Sequence, residues 1–355
     1  MSFRKDNDDF EAWLADHCDV VEEDIDYKHR QMEESAFIFL RATYFRWARK
    51  IEKWCPELMD APQVLSVGDL HAENFGTWRD EDGRLVWGVN DFDEAAEMPY
   101  VLDLVRLATS IRLAGDLDTS NQAVATALLD GYGEGLRTPQ PALLFEGETW
   151  LRDYAEPDKD EPEEFWCKVS NYESPKAPLP ADVAKGLIQR LPKGVDKTSI
   201  RFSQLFRKGC GSLGRPRYAA VAYWRGGRVL REAKALVPSA WNWANGTKYD
   251  PSNFKKLANR DHRAPDPFLR VHGKYVFRRI GADAQKIELG KNPGKKLERK
   301  LVRAMGFDLA SIHAADPRGK RAIPADLKKR PDGWLHAAAK TAAAAVERDF
   351  EEWRS

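Results

Sequence analysis

Hydrophobic residues near the start of the chain recur at steps of three and four, the spacing that puts side chains on one face of a helix. Phe37, Leu40, Tyr44 and Trp47 form such a stripe within a helical pattern that runs from about residue 9 to residue 54. We therefore expect the chain to begin with helices whose apolar faces build part of the core.

Short apolar runs then change the pattern from helix to strand. Val64, Leu65 and Val67 predict one strand, and residues 85–89 predict a second, because short apolar runs between turn residues are typical of strands. Residues 79–84 lie between the two runs and include Asp-Gly, which is a strong signal for a hairpin turn.

An apolar helix is predicted after Pro99, with Asp103 near its start. An acid at this position favours the helix N-terminus and can accept hydrogen bonds from backbone amides of a neighbouring loop, so we expect Asp103 to brace a loop and not to act in catalysis. The pattern predicts three further helices, at about 120–136, 297–315 and 334–353. His313 lies on the apolar side of its helix and is expected to be a packed core histidine.

The second half of the chain changes character twice. Residues 153–197 are acidic and rich in proline, which is typical of a mobile surface insertion or an inter-lobe linker. From residue 200 the pattern is that of strands, with one strand predicted over 218–224, another over 229–236 and a hairpin over 266–279.

Composition narrows the class of protein. The chain has 355 residues, enough for about two lobes and a substantial core, and its 56 basic and 56 acidic residues balance. No overall charge favours nucleic acid or an anionic membrane. Four scattered cysteines without a Cys-x-x-Cys pair fit a reducing compartment. With a charged N-terminus and no long apolar run, we expect a cytoplasmic protein without a membrane partner; the oligomeric state is not indicated.

The candidate chemistry begins in the loops around the predicted hairpin, which bring together Asp69, Asn74, Asp91 and Asp93. Carboxylate oxygens and an amide carbonyl are the ligands that suit Mg²⁺. Asp69 also stands five positions before Asn74, the Asp-x-x-x-x-Asn spacing of kinase catalytic loops. The alternative is structural, because Asp and Asn in loops often form turns or cap helices.

A second motif follows much later in the chain. Gly209, Gly211 and Gly214 form a G-x-G-x-x-G pattern that also contains Ser212, and the predicted strands after it carry Lys234. Glycines let backbone N–H groups approach phosphates, and a lysine adds a point charge. A proline soon after the third glycine does not fit the helix that a dinucleotide-binding turn requires. An ordinary bulged hairpin with an exposed lysine is the alternative.

Together these motifs resemble the protein-kinase-like superfamily, and especially its aminoglycoside-phosphotransferase-like small-molecule kinases. The chain resembles still more closely a bacterial family known as domain of unknown function 2252. That resemblance rests on residues 68–75, 90–94, 102–107, 209–214 and 306–314, and on Lys234 with the Pro-Ser pair at 238–239.

The resemblance implies roles for the candidate residues. Asp69 corresponds to the catalytic base. His71 falls where small-molecule kinases often carry His and protein kinases carry Lys, which implies a contact with the transferred phosphate. Asn74 and Asp91 correspond to Mg²⁺ ligands, with Asp93 as a further candidate ligand. The resemblance implies that the glycine loop (Gly209, Gly211, Ser212 and Gly214) and Lys234 bind ATP. It also implies that the acceptor is an unidentified hydroxyl-bearing small molecule, with a protein as the less favoured acceptor.

The order of the motifs implies a circular permutation, because ordinary kinases place the glycine loop before the catalytic loop. The expected fold is therefore α+β and two-lobed: a helical lobe with the catalytic loop over 1–197, a β-rich lobe over 198–292, and C-terminal helices over 293–355. No Glu occurs between residues 236 and 286 to pair with Lys234. Glu232 shares its strand face and is the candidate substitute.

Three alternatives to the ATP- and Mg²⁺-dependent phosphotransferase are left open by the sequence. The missing Glu favours a catalytically silent nucleotide-binding pseudokinase. A related enzyme would transfer AMP instead of phosphate. Gly-Asp-Leu-His at residues 68–71 also occurs in metallophosphoesterases, although the Gly-Asn-His-Glu that such enzymes need is absent from the sequence.

Overall fold

Four helices precede the first strand in the computed structural model, which describes residues 2–115, 119–155, 160–286 and 298–355. They are α1 Phe3–Ala15, α2 Glu22–Gln31, α3 Ala36–Ala42 and α4 Tyr44–Trp54. The hydroxyls of Ser2 and Ser35 cap α1 and α3, accepting hydrogen bonds from backbone N–H groups three residues on. All four residues of the predicted apolar stripe are buried, which confirms it. Helix α3 ends just before Thr43 and α4 begins just after it.

Two small antiparallel sheets follow. Strand β1 Gln63–Ser66 pairs with β4 Ala96–Pro99, and β2 Phe75–Arg79 forms a hairpin with β3 Leu85–Val89, to which the short β5 Ala142–Leu143 adds. The predicted turn at 79–84 is confirmed, with the amide of Asp80 donating to the carbonyl of Arg84 at 3.1 Å. The partner of β3 is β2 and not β1, so the acidic loops lie where β1 and the hairpin meet.

The helical core lies beneath these loops. It consists of α5 Val101–Ala114, α6 Asn121–Arg137, α12 Arg299–Ala314, α13 Pro317–Leu327 and α14 Trp334–Arg354. Helix α12 packs on α6, and α14 packs on α5. Gly131 and Gly135 of α6 allow this close approach, because a Cβ atom at either position would overlap the backbone of α12. Within the described residues, no helix combines the length and hydropathy that spanning a bilayer requires.

A five-stranded antiparallel sheet stands opposite. Its order is β6-β7-β8-β10-β9, with β6 Arg201–Gln204, β7 Arg217–Trp224, β8 Gly227–Ala235, β9 Arg270–His272 and β10 Tyr275–Ile280. Short helices α10 Ala240–Asn245 and α11 Asn253–Ala258 connect β8 to β9. The predicted strands at 218–224 and 229–236 and the hairpin at 266–279 are confirmed within one to four residues. The predicted lobe boundary at 292 and 293 lies outside the described residues.

Both faces of this sheet carry helices from the segment expected to be a linker or insertion. After the short α7 Arg152–Ala155, helix α8 Glu161–Ser170 packs Val169 on one face, against Ala219 and Leu230. Helix α9 Ala181–Arg190 packs Leu187 on the other face, against Ala233. The two helices were not predicted from the acidic, proline-rich sequence, and they bury apolar side chains against the sheet. Residues 156–159 of this segment lie outside the described part of the chain.

Candidate active site

A cavity of about 850 Å³ separates the five-stranded sheet from the acidic loops. This volume is in the range of pockets that hold small molecules and cofactors. The lining includes residues of helices α2 and α3, the loops after β1 and β3, the loop between β6 and β7, and the sheet; among them are Tyr27, Phe37, Arg41, Asp69, His71, Asn74, Asp91, Asp93, Phe165, Tyr172, Gly209, Cys210, Gly211, Ser212, Arg217, Arg278 and Lys286.

The loop after β1 is braced from below by Asp103 on α5. Its two carboxylate oxygens accept hydrogen bonds from the amides of Val67 at 2.7 Å and Gly68 at 2.9 Å. Gly68 has φ +86°, a conformation that other residues rarely adopt, and a Cβ atom there would lie 2.9 Å from the Tyr44 hydroxyl. The predicted bracing role of Asp103 is confirmed.

The brace continues into the helical core. The ring Nε2 of His313, on α12, lies 3.2 Å from the Asp103 carboxylate, and its Nδ1 lies 2.7 Å from the hydroxyl of Tyr132. All three side chains are fully buried. The prediction that His313 is a packed core histidine is confirmed, and its partners explain why a polar ring is tolerated there.

Asp69 projects into the cavity but is held by Arg106 of α5. The Nε and Nη2 atoms of Arg106 donate to Oδ1 of Asp69 at 2.9 and 2.6 Å. The guanidinium also lies over the rings of Tyr44 and Trp47 at 4.9 and 5.0 Å. Burial raises the pKa of Asp69 above its ordinary value, although the attraction of Arg106 opposes the shift. Sequence reasoning missed this partner.

His71 stands on the same wall of the cavity as Asp69. Burial, followed by repulsion from Arg41 and Arg106, holds the pKa of His71 well below its ordinary value. The ring is therefore neutral near pH 7 and can donate or accept a hydrogen bond. Its Nδ1 atom is buried and has no hydrogen-bond partner among the described residues.

Asn74 links the two acidic loops. Its amide nitrogen donates to the backbone carbonyls of Asp69 at 3.1 Å and Asp91 at 3.3 Å. Its amide oxygen is buried without a hydrogen-bond partner in the described part of the chain, as is Oδ1 of Asp93. Buried oxygens of this kind normally have partners, so both are available to a ligand.

Lys234 on β8 reaches across to the acidic loop. Its ammonium lies 3.0 Å from Oδ2 of Asp91 and is in still closer contact with Asp93. Burial would raise the pKa of Asp91, but attraction by Lys234, Lys286 and Arg278 outweighs it and holds this pKa well below its ordinary value. Two segments more than 140 residues apart in sequence therefore meet at one point.

Glu232 does not pair with Lys234, which corrects the expectation from the shared strand face. Its carboxylate binds Arg217 at 3.2 Å and Arg278 at 2.7 Å. Burial would raise the pKa of Glu232, but these two guanidinium groups lower it to about 2. The strand register explains the change of partner, because Arg278 stands directly opposite Glu232. Lys234 instead contacts Asp91 and Asp93.

Arg217, Arg278 and Lys286 line the cavity but were not identified from the sequence as site residues. Arg217 and Arg278 stand on the sheet beside the buried Lys234, whereas Lys286 follows β10 and bridges to Gly76 of the β2–β3 hairpin. Alternation along β7, β8 and β10 is the sequence signal that could have grouped the sheet cations, because it puts Arg217, Lys234 and Arg278 on one face of the sheet.

The glycine loop connects β6 to β7. Gly209, Gly211 and Ser212 line the cavity, and the Ser212 hydroxyl accepts a hydrogen bond from Arg217 at 2.9 Å. A Cβ atom on Gly211 would lie 3.0 Å from Oδ2 of Asp69, so the loop lies directly over that carboxylate. Gly214 is not part of the lining: with φ +90°, it accepts a hydrogen bond from the Val21 amide and anchors the loop to α2.

Arg215 fixes the far side of the acidic loop. It donates to Glu94 at 2.5 Å and to Asp93 at 3.4 Å, and the other oxygen of Glu94 accepts from the Ala240 amide. Burial and the nearby charge of Asp91 raise the pKa of Asp93. These contacts orient Asp93 toward Lys234.

The donor set fits Mg²⁺ only in part. Among the described residues, no three His, Cys, Asp or Glu side chains are grouped closely enough to hold a metal ion. The available donors are the amide oxygen of Asn74 and the carboxylates of Asp91 and Asp93. Mg²⁺ commonly takes one or two carboxylates and completes its shell with waters and substrate phosphates, so this set suffices for a metal that arrives with a phosphate ligand.

Fold and cavity together define an α+β protein with a polar, ligand-sized cleft between a sheet and two acidic loops. Residues 20–138 match the sequence model of a family described as "Uncharacterized protein conserved in bacteria (DUF2252)". This match supports the expected relationship to that family over a segment that contains both acidic loops but not the glycine loop or Lys234. No curated protein matches the chain, and no solved structure does.

Proposed function

We propose that the protein is an ATP- and Mg²⁺-dependent phosphotransferase that acts on a hydroxyl group of a small molecule. The observation that carries the proposal is the 3.0 Å contact between Lys234 and Asp91, at a cavity that also contains the glycine loop and Asp69. Phosphoryl transfer depends on positioning and charge neutralisation, and these are the residue types that provide both.

Each element of the cleft has a role in this reaction. The backbone of the glycine loop, Lys234 and the cations Arg217, Arg278 and Lys286 bind the phosphates of ATP. Mg²⁺, when bound, neutralises charge that develops on the phosphate oxygens. Asn74, Asp91 and Asp93 are the residues that would hold it.

The proton moves through Asp69. Because Arg106 occupies Oδ1, the oxygen that faces the cavity is Oδ2, and this atom accepts the proton of the acceptor hydroxyl. The hydroxyl oxygen bonds to the terminal phosphorus of ATP while the bond from that phosphorus to the bridging oxygen breaks, and ADP leaves. His71, neutral near pH 7, donates a hydrogen bond to the transferred phosphate.

A second candidate function is nucleotide binding without turnover. It is favoured by the Arg106–Asp69 ion pair, which weakens Asp69 as a base, and by the pairing of Lys234 with the acids and not with a glutamate. An AMP transferase is an alternative that the same assay separates by its products, and a metallophosphoesterase is the further alternative that the sequence leaves open.

The test is a thermal shift with Mg²⁺ and ATP, followed by an ATP-consumption assay with mass analysis of the nucleotide products. We expect a stabilising shift and ADP as the product, with turnover lost in Asp91→Ala. A shift without consumption would favour the silent nucleotide-binding protein, and release of pyrophosphate would favour AMP transfer. Turnover of Asp91→Ala equal to that of the wild type would contradict the assignment.

A further inference from the structure

We propose that Lys234 takes the place of the divalent cation in the nucleotide-free protein, so that a metal ion enters the site only together with a polyphosphate ligand. This inference concerns the regulation of the site in the proposed function and rests on that function. It assigns to Lys234 a role as a gate, in addition to binding phosphate.

The geometry shows an ammonium where a metal would need to lie. Lys234 is only 4 % exposed, and its Nζ contacts carboxylate oxygens of both Asp91 and Asp93. A metal ion bound by the same two carboxylates would occupy the space that the ammonium fills. One cation excludes the other, because at this separation two positive charges repel strongly inside a protein.

The site has more ligand atoms than the ammonium uses. Asn74 and Asp93 are 5 % and 9 % exposed, and Oδ1 of each is buried without a hydrogen-bond partner in the described residues. The ammonium has three donors, and its contacts are with both oxygens of Asp91 and with Oδ2 of Asp93. The remaining two oxygens fit a cation that accepts more ligands than an ammonium can reach.

A bound polyphosphate changes the competition between the Lys234 ammonium and a metal ion for the two carboxylates. Arg217 and Arg278 stand on the same sheet face as Lys234, so phosphates drawn to these guanidinium groups lie beside the lysine. The Lys234 ammonium then has anionic oxygens on the sheet side and can leave the two carboxylates. The metal ion that accompanies the phosphates takes its place, and Arg215 keeps Asp93 oriented throughout.

The test measures Mn²⁺ binding to the full chain without nucleotide, by the electron paramagnetic resonance signal of free Mn²⁺ at neutral pH. We expect weak binding by the wild type and at least about tenfold tighter binding by Lys234→Met, because the competing charge is gone. Lys234→Arg keeps the charge and should bind as weakly as the wild type.

Two controls locate the gain. Lys168→Met removes an exposed positive charge that lines the cavity and lies 4.0 Å from Glu164; its Mn²⁺ affinity should match the wild type. Adding Asn74→Ala to Lys234→Met should abolish most of the gain. A gain that survives in this double variant would place the new site elsewhere and overturn the proposal.

Tight Mn²⁺ binding by the nucleotide-free wild type would also overturn it, and this measurement needs no variant. If Lys234→Met does not fold, Lys234→Gln serves in its place, and equal affinity of folded Lys234→Gln and wild type counts against the gate. Failure of the proposed function is a separate result: a gain of Mn²⁺ affinity in Lys234→Met with no ATP turnover by the wild type would retain the gate and reject the enzyme.

Discussion

Two clusters of buried polar side chains flank the loop at residues 67–74, and they differ in how completely their atoms are partnered. Beneath the loop, both oxygens of Asp103 and both ring nitrogens of His313 have partners. On the cavity side, Oδ1 of Asn74 and Oδ1 of Asp93 have none among the described residues. A satisfied network stabilises a fold, whereas unsatisfied buried oxygens are costly unless a ligand completes them.

The two clusters also differ in what their acids contact. Asp103 and Asp91 are both aspartates near the same loop. Asp103 accepts the amides of Val67 and Gly68, whereas Asp91 accepts the single amide of Asp93 and also faces a lysine from the opposite sheet. We therefore expect substitutions in the two clusters to fail in different ways: loss of stability beneath the loop, loss of turnover above it.

The largest effect is expected for Asp91→Ala. Loss of this carboxylate removes a metal ligand and one of the two acids that contact Lys234, so ATP turnover should fall by about 10³-fold or more. The protein should still fold, because Lys234 keeps its contact with Asp93. ATP consumption and circular dichroism measure the two effects. Asp261→Ala, on an exposed residue outside the cleft, is the matched control and should retain wild-type turnover. An equal fall in turnover in both variants would contradict a specific role of Asp91.

Asp69→Asn should lower turnover by about 10²–10⁴-fold, because general base catalysis is lost. The pH profile gives a sharper test in the wild type. Asp69 must be ionised to accept a proton, and its pKa is raised by burial against the opposing Arg106. Turnover should therefore decline, as pH falls, at a higher pH than for an ordinary aspartate. An acid limb at or below the ordinary aspartate value would contradict this role.

Asp103→Asn should mainly lower stability. An amide can accept from only one of the two loop N–H groups with its oxygen, and one buried donor is left unpaired, at a cost of about 2 kcal/mol in the free energy of unfolding. Denaturant unfolding measures the loss. Wild-type stability combined with abolished turnover would show that Asp103 acts in the chemistry, and the contrast between the two clusters would fail.

The smallest effect is expected for Gly211→Ala in the glycine loop. A methyl group there lies 3.0 Å from both Oδ2 of Asp69 and the carbonyl of Arg41, so the loop must move slightly away from the cavity floor. We expect the KM for ATP to rise by about three- to tenfold, roughly 1 kcal/mol. Gly227→Ala is the control, because its added Cβ meets nothing within 4 Å.

Much of the fold could be predicted because it depends on local pattern. The apolar stripe of α3 and α4, the Asp-Gly turn between β2 and β3, and the alternating strands β7 and β8 are all encoded within short windows. Helices α8 and α9 were missed, because acidic and proline residues mask apolar positions that matter only once the sheet provides a surface to cover.

The candidate site was predictable in its parts and not in its pairings. Asp69, Asn74 and Asp91 could be chosen from their place in two neighbouring loops, and they line one cavity. Lys234 could be chosen from the order of the glycine loop and the strands, and it contacts Asp91. The partners of the guanidinium groups could not be predicted from the sequence. Arg106 lies 37 residues after Asp69, on helix α5, and none of its sequence neighbours indicates that the two side chains are in contact. Long-range ion pairs depend on tertiary geometry. For this reason the sequence suggested Glu232 as the partner of Lys234, whereas in the fold Glu232 pairs with Arg217 and Arg278.

The central claim is that Lys234 and the acidic loops form one nucleotide site. Titration calorimetry of Mg²⁺·ATP into the wild type, Lys234→Met and the surface control Lys256→Met tests it most directly, because Lys256 pairs only with the exposed Asp250 among the described residues. We expect binding by the wild type and the control, and at least about tenfold weaker binding by Lys234→Met. Equal affinity in all three proteins, or no binding by the wild type, would contradict the account.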